Sequence, residues 1–231
     1  MSHLMEILEK VIEQIKKNNP YGLIFKGGTA LSIFHLNHHR ESEDLDFDVN
    51  IKYLKEYIRI QDYLIDIFEI LKEKGIIKGY KIGKTGLAST NRFHMKIQFI
   101  SYKKLQSKID IDFVKPPKKL KKIGELYYYN LERMFISKVI TFTERSDLKD
   151  FIDITYMLPK IDFSIFENKV ELANLLERLL ESKNENMLIE QFNFISRNVD
   201  LKVKGLRKGE MENLIKKTFR GIRAAINKLK Y

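Results

Sequence analysis

Cysteine is missing from all 231 residues, which excludes disulfides, thiolate metal sites and thiol nucleophiles and agrees with a reducing compartment. Also missing is any apolar run approaching the roughly 20 residues needed to cross a bilayer. No charged-then-apolar leader with a small-residue cleavage site opens the chain, so a cytoplasmic protein is expected. There is no internal repeat or long low-complexity segment, and Gly83-Lys84-Thr85 lacks the upstream glycine spacing of a P-loop. Acid is the minority charge, with 31 Asp plus Glu against 42 Lys plus Arg, a formal net charge of +11. What is present is a globular composition, 44% hydrophobic and 32% charged, long enough for one domain with an appendage or for two small ones.

The basic excess is concentrated. From Leu201 to Tyr231 stand Lys202, Lys204, Arg207, Lys208, Lys216, Lys217, Arg220, Arg223, Lys228 and Lys230, against only Glu210 and Glu212. A second patch, Lys115 to Lys122, holds five lysines and no acid. Such fields attract polyanions, and nucleic acid is the natural partner, although a solvated lysine-rich face would read the same way.

Along the chain, apolar residues at Leu4, Leu8, Val11, Ile12 and Ile15 predict a helix to Lys17, ended by Asn18-Asn19-Pro20. Gly22 to Phe25 reads as a short buried strand. Gly27-Gly28 breaks it, and Thr29 is expected to cap a helix over Ala30 to Asn37. Asp44 to Val49 alternates acid and apolar residues, the period of a strand with one buried face. A helix from about Lys52 to Lys74 follows, then strands over Tyr80–Lys84, Arg92–Ile100 and Lys108–Val114, a mixed α/β order. Beyond Pro116-Pro117 everything reads as helical. The expected division is therefore a catalytic core over residues 1–122 and a helical domain over residues 123–231. The last helix, Lys208 to Lys230, pairs an apolar stripe with a charged opposite face.

The chemistry is concentrated in Asp44-Leu45-Asp46-Phe47-Asp48-Val49, where three carboxylates share one strand face. Same-face residues lie ~6.6 Å apart along a strand, so the flexible heads can lean together on a hard cation. Magnesium suits one or two carboxylates completed by substrate phosphates. An isolated Asp-x-Asp also describes an acidic edge strand facing water; the context argues otherwise. Gly27-Gly28, between a strand and a helix N-terminus, lets backbone N–H groups approach an anion, and phosphate is the obvious one. A second acid-bearing strand, Lys108-Ile109-Asp110-Ile111-Asp112, offers a third carboxylate, for which Asp110 and Asp112 compete. Asp48 reads as a surface acid. His35, His38 and His39 read as a loop surface because their spacing does not make a zinc pair. Tyr127-Tyr128-Tyr129 reads as packing ahead of a helix.

Lys26-Gly27-Gly28-Thr29-Ala30-Leu31, followed by Arg40-Glu41-Ser42-Glu43-Asp44-Leu45-Asp46-Phe47, resembles the first motif of the AbiEii/AbiGii toxin family of nucleotidyltransferases, within the polymerase-β-type superfamily. The likeness continues at Lys108-Ile109-Asp110-Ile111, at Lys138 and, more loosely, at Lys149-Asp150-Phe151-Ile152-Asp153, where a lysine replaces the family's arginine. The resemblance implies a polymerase-β-type core with a mixed sheet and a helical C-terminal domain that completes the nucleotide site. It implies that Asp44, Asp46 and Asp110 hold magnesium, that Gly27, Gly28 and Thr29 cradle the phosphates of a nucleoside triphosphate, and that Asp110 activates the acceptor hydroxyl. Lys138 would meet the triphosphate and Asp150 would orient it, with Lys138 removable at the cost of turnover but not of the fold. The implied biology is a toxin that adds nucleotides to the acceptor end of tRNA, partnered by an antitoxin. Two other readings are an Asp-x-Asp phosphatase and a basic RNA-binding protein without turnover.

Overall fold

The computed structural model describes residues 2–198, 203, 206 and 209–230. The chain forms two compact units, Met1–Asn130 and Leu131–Tyr231. No helix among the described residues is long and apolar enough to cross a membrane.

The first unit is built on a mixed seven-stranded sheet. Its strands are β1 (Ile24–Lys26), β2 (Asp44–Asn50), β3 (Gly79–Ser89), β4 (Arg92–Ile100), β5 (Lys104–Val114), β6 (Lys121–Ile123) and β7 (Leu126–Tyr128), with helices α1 (His3–Lys17), α2 (Gly27–Phe34) and α3 (Tyr57–Glu73). The spatial order is β3-β4-β5-β2-β1-β7-β6. β1 runs antiparallel to β2, β2 parallel to β5, and β5 antiparallel to β4. Strand alternation divides each central strand into two faces. One face is apolar: Phe25, Leu45, Phe47, Val49, Phe93, Met95, Phe99, Ile111 and Phe113 are essentially inaccessible. It meets helices through Phe68 of α3, edge-on to Phe99, and Phe34 of α2, edge-on to Phe25. Burying each such ring contributes roughly 1.5–3 kcal/mol. The opposite face carries the charges.

Three details depart from the sequence reading. The segment after Pro116-Pro117 is not helical at once: β6 and β7 form a hairpin, and β7 extends the sheet parallel to β1. Tyr127 and Tyr128 are thus strand residues, and the sheet runs past the boundary expected at residue 122. Strands of three residues are too short for their period to show against a lysine-rich flank. Helix α2 begins at Gly27, not Ala30, so Thr29 does not cap it. The three histidines after α2 are not all on a surface either, because His39 is fully buried.

The second unit consists of α4 (Leu131–Arg145), α5 (Leu148–Met157), α6 (Lys169–Ser182), α7 (Glu185–Asn198) and α8 (Met211–Lys230). Met211, Ile215, Phe219, Ile222, Ile226 and Leu229 bury the apolar stripe of α8. Three of its cations are met by acids: Lys216 by Glu212 at 2.5 Å, Arg223 by Glu185 at 3.4 Å and Lys230 by Glu177 at 2.5 Å. Lys217, Arg220 and Lys228 are exposed. Lys202, Lys204, Arg207 and Lys208 lie outside the described residues.

Candidate active site

Register brings the predicted residues into two rows across the charged face. In one row Lys26 of β1 stands opposite Asp46 of β2, Asp46 opposite Asp110 of β5, and Asp110 opposite His94 of β4. In the next row Asp48 faces Asp112, and Asp112 faces Arg92. Asp44 begins β2 opposite Lys108. A one-residue slip in either strand would turn that strand's acids into the core, so the apolar alternation of β2 and β5 is what fixes the site.

The second row is internally neutralised. Lys26 Nζ lies 2.5 Å from Asp48 and 2.6 Å from Asp112. Arg92 donates to both oxygens of Asp112, at 2.5 and 2.9 Å. Burial pushes the Asp112 carboxyl up, but the hydrogen bonds and charges of Arg92 and Lys26 outweigh it and hold the group below its ordinary value. Asp48 is only 6% exposed and also accepts from the Tyr129 hydroxyl, so it is not the surface acid expected but part of a buried tie between β2 and the end of β7.

The first row is not neutralised. Among the described residues Asp46 has no ion-pair partner, and its pKa is pushed up to about 6, first by burial and then by the charges of Asp110 and Asp44, against weaker relief from Lys26 and Lys108. Lys108 Nζ stands 3.5 Å from Asp44 and 3.4 Å from Asp110, a single ammonium shared by two carboxylates. The other oxygen of Asp110 lies 2.6 Å from His94 Nδ1. Among the described residues no three acidic or imidazole side chains are already gathered as a metal cage.

The glycine bend abuts this row. Gly27 has φ +77°, and a Cβ there would collide with the Asp46 carboxylate. A Cβ on Gly28 would run into the guanidinium of Arg40, whose Nη1 donates to the Glu41 carbonyl at 3.0 Å. At Gly27 only glycine admits both such an approach and such a φ. The residue before α2, Lys26, makes no side-chain cap, so the helix's first N–H groups are not met by a capping oxygen. Thr29 is fully buried, and its hydroxyl donates to the Asp44 carbonyl. It fastens α2 to the start of β2.

Lys138 and Asp150 belong to the helical unit. Lys138 Nζ lies 2.7 Å from Asp150 and 2.7 Å from Asp153, and Arg145 reaches Asp150 at 2.8 Å. Asp150 and Asp153 are completely buried. Burial pulls the Lys138 pKa down, but the two carboxylates outweigh it and raise the value, keeping the ammonium charged. Sequence spacing on α5 places Asp150 and Asp153 one turn apart, yet the expectation that Lys138 can go without harm to the fold fails here. Its removal would take the shared ammonium away from two buried carboxylates.

Sequence reasoning missed Lys26, Arg92 and His94 as members of this face. A signal existed: Arg92-Phe93-His94-Met95-Lys96-Ile97 alternates with the same period of two as the acid strand.

The AbiEii family of nucleotidyl transferase toxins, from type IV toxin–antitoxin systems, matches residues 16–228. The chain belongs to this AbiEii family. It is accordingly a nucleotidyltransferase of the toxin class. Solved structures of similar fold include JHP933 from Helicobacter pylori, at 18% identity over 97% of this chain and 91% of that one with a TM-score of 0.69. Another is MenT4, the nucleotidyltransferase toxin Rv2826c of Mycobacterium tuberculosis H37Rv, at 13% identity over 98% of this chain and 86% of that one with a TM-score of 0.56. At these identities the likeness is one of fold. No curated protein matches the sequence significantly.

Proposed function

We propose that this AbiEii protein moves a nucleotide from a nucleoside triphosphate to the 3′ hydroxyl of an RNA acceptor, tRNA being the first candidate, with Asp44, Asp46 and Asp110 holding magnesium. The observation that carries this reading is Asp46: a carboxylate raised to about 6 by burial and by two neighbouring acids is a place where a divalent cation is wanted. The glycine bend against it supplies the complement, since uncapped N–H groups of α2 at Gly27 and Gly28 favour a polyanion. Magnesium completed by phosphate oxygens fits a set of carboxylates that is not itself a cage.

In this account Gly27 and Gly28 hold the triphosphate through their backbone N–H groups. The buried Thr29 sets the bend against β2 and does not touch the phosphates. Bound magnesium would neutralise phosphate charge and bring acceptor and α-phosphate together. Asp110 takes the proton of the acceptor hydroxyl, whose oxygen bonds to the α-phosphorus as the bond to pyrophosphate breaks. Asp110 is favoured over Asp112 for this role because Arg92 and Lys26 hold both oxygens of Asp112 at 2.5 to 2.9 Å, whereas among the described residues the second oxygen of Asp110 has only the ammonium of Lys108, 3.4 Å away. Lys138 and Asp150, which the family resemblance implies for the nucleotide, pair with each other inside the helical unit, where Asp150 is fully buried, and we assign them to holding that unit together.

Support for RNA comes from exposed lysines. Lys115 and Lys118 follow directly on β5, the strand that carries Asp110, and both are exposed. Partial neutralisation of α8 by Glu177, Glu185 and Glu212 makes that helix a weaker argument than its composition suggests. A cytoplasmic site of action and a cognate antitoxin complete the proposal. The phosphatase alternative leaves the glycine bend without a task, although that bend touches the acid row.

The test is purified protein with magnesium, each α-labelled triphosphate in turn and total tRNA. Label in RNA that disappears with Asp46→Ala, by roughly 10³-fold or more and so beyond the 10²–10³ lost with a single stabilising donor, is the expected outcome. Tight, salt-sensitive RNA binding without product would favour the non-catalytic reading.

A further inference from the structure

We propose that His94 is a positioning residue for the third carboxylate. Its Nδ1–H holds one oxygen of Asp110, so that the other is presented to the cation shared with Asp44. The inference rests on the nucleotidyltransferase reading above and adds to it a residue on a different strand.

The two oxygens of Asp110 are used differently. Oδ1 lies 2.6 Å from His94 Nδ1, while Oδ2 faces Lys108 Nζ at 3.4 Å. That same ammonium is 3.5 Å from Oδ2 of Asp44. The positive charge between Asp44 and Asp110 therefore meets Oδ2, and Oδ1 is reserved for the imidazole. An ionised carboxylate only accepts, so the hydrogen of this bond sits on Nδ1. The terminal torsion of an aspartate is broad and soft, leaving an unanchored carboxyl free to exchange its oxygens or turn edge-on. A partner directly opposite in the antiparallel β4–β5 register removes that freedom. His94 and Asp110 side chains are only 19% and 17% exposed, which shelters the bond from competing water.

Magnesium tolerates little departure from octahedral geometry. Groups that orient a ligating carboxylate are accordingly worth roughly 10–100-fold in metal affinity or activity. Asp112 obtains its orientation from Arg92 and Lys26, and those charges occupy both its oxygens. Asp110 obtains it from an imidazole on one oxygen, and its other oxygen faces the more distant ammonium of Lys108, whose side chain is 42% exposed and can give way to a cation. Which of two equivalent acids on β5 serves the cation is thus decided by residues on β4: His94 holds one oxygen of Asp110 and leaves the other to an exchangeable charge, and Arg92 holds both oxygens of Asp112.

The experiment compares His94→Asn, which keeps an N–H donor near the position of Nδ1, with His94→Leu, which removes it. Each is measured for Mn²⁺ binding by electron paramagnetic resonance in the presence of a non-hydrolysable triphosphate analogue, for kcat and KM towards the triphosphate, and for melting temperature. His94→Leu should lose roughly 10–100-fold in Mn²⁺ affinity and in kcat, with KM and melting temperature near wild type, and His94→Asn should restore most of both. If the Leu variant does not fold, His94→Ala takes its place. Wild-type Mn²⁺ affinity in the donor-free variant, or an Asn variant as defective as Leu, overturns the role of His94. Wild-type protein that binds Mn²⁺ no better than Asp46→Asn would instead sink the metal-site reading itself.

Discussion

The acids of the helical unit meet their counter-charges inside the fold, whereas the acid at the centre of the strand row does not. Asp150 and Asp153 are completely buried yet compensated by Lys138 and Arg145. Asp46 has neighbours of its own sign, Asp44 and Asp110, and its carboxyl is pushed up to about 6. Buried charge that is balanced supports a fold, and charge left unbalanced on a sheet beside a glycine bend is where a ligand is to be looked for. Both clusters combine aspartates with basic side chains, so composition alone does not separate them.

The comparison can be broken most forcefully at Lys138. Replacing it with Ala should cost about 3–5 kcal/mol, because two carboxylates lose the cation between them. Chemical denaturation reads this directly, and an unchanged midpoint would mean that the helical cluster is not balanced from within.

Asp46 should behave in the opposite sense. Its folded pKa of about 6 exceeds the ordinary 3.8, so the folded chain binds that proton more readily than the unfolded one. Stability therefore falls as pH rises between those values, and the deficit is complete above the higher one. Asp46→Asn should accordingly stabilise the metal-free protein by about 1–3 kcal/mol at pH ~7.5 and by almost nothing near pH ~3.5. Melting curves in chelator at the two pH values check this. A variant less stable than wild type at the higher pH would contradict it.

The smallest effect is expected at Arg92, a half-exposed guanidinium on Asp112. Arg92→Gln should cost only about 0.2–1 kcal/mol, as exposed ion pairs do. A loss as large as that at Lys138 would show that the second strand row, too, depends on a single cation.

Much of this was legible before any coordinates. The alternation in Asp44 to Val49 gave both the buried face and the acid face, and the Gly27-Gly28 break between a strand and a helix proved to touch Asp46. Less was legible where meaning depends on register between distant strands. Nothing in local spacing says that Asp110 meets His94 while Asp112 meets Arg92, since that pairing is set by how β4 and β5 align. Thr29 looked like a helix cap because capping residues are recognised by type, but its hydroxyl is taken by the Asp44 carbonyl. Lys138 looked dispensable to the fold because a helix lysine is usually solvated; burial and two partners appear only once α4 and α5 are packed.

The most direct test of the central claim is the location of bound metal. Crystals grown with Mn²⁺ and a non-hydrolysable triphosphate analogue should give an anomalous peak at the carboxylates of Asp46, Asp44 and Asp110, with the analogue's phosphates on the N–H groups of Gly27 and Gly28. A peak elsewhere, or ordered analogue with no metal at these carboxylates, would contradict the account.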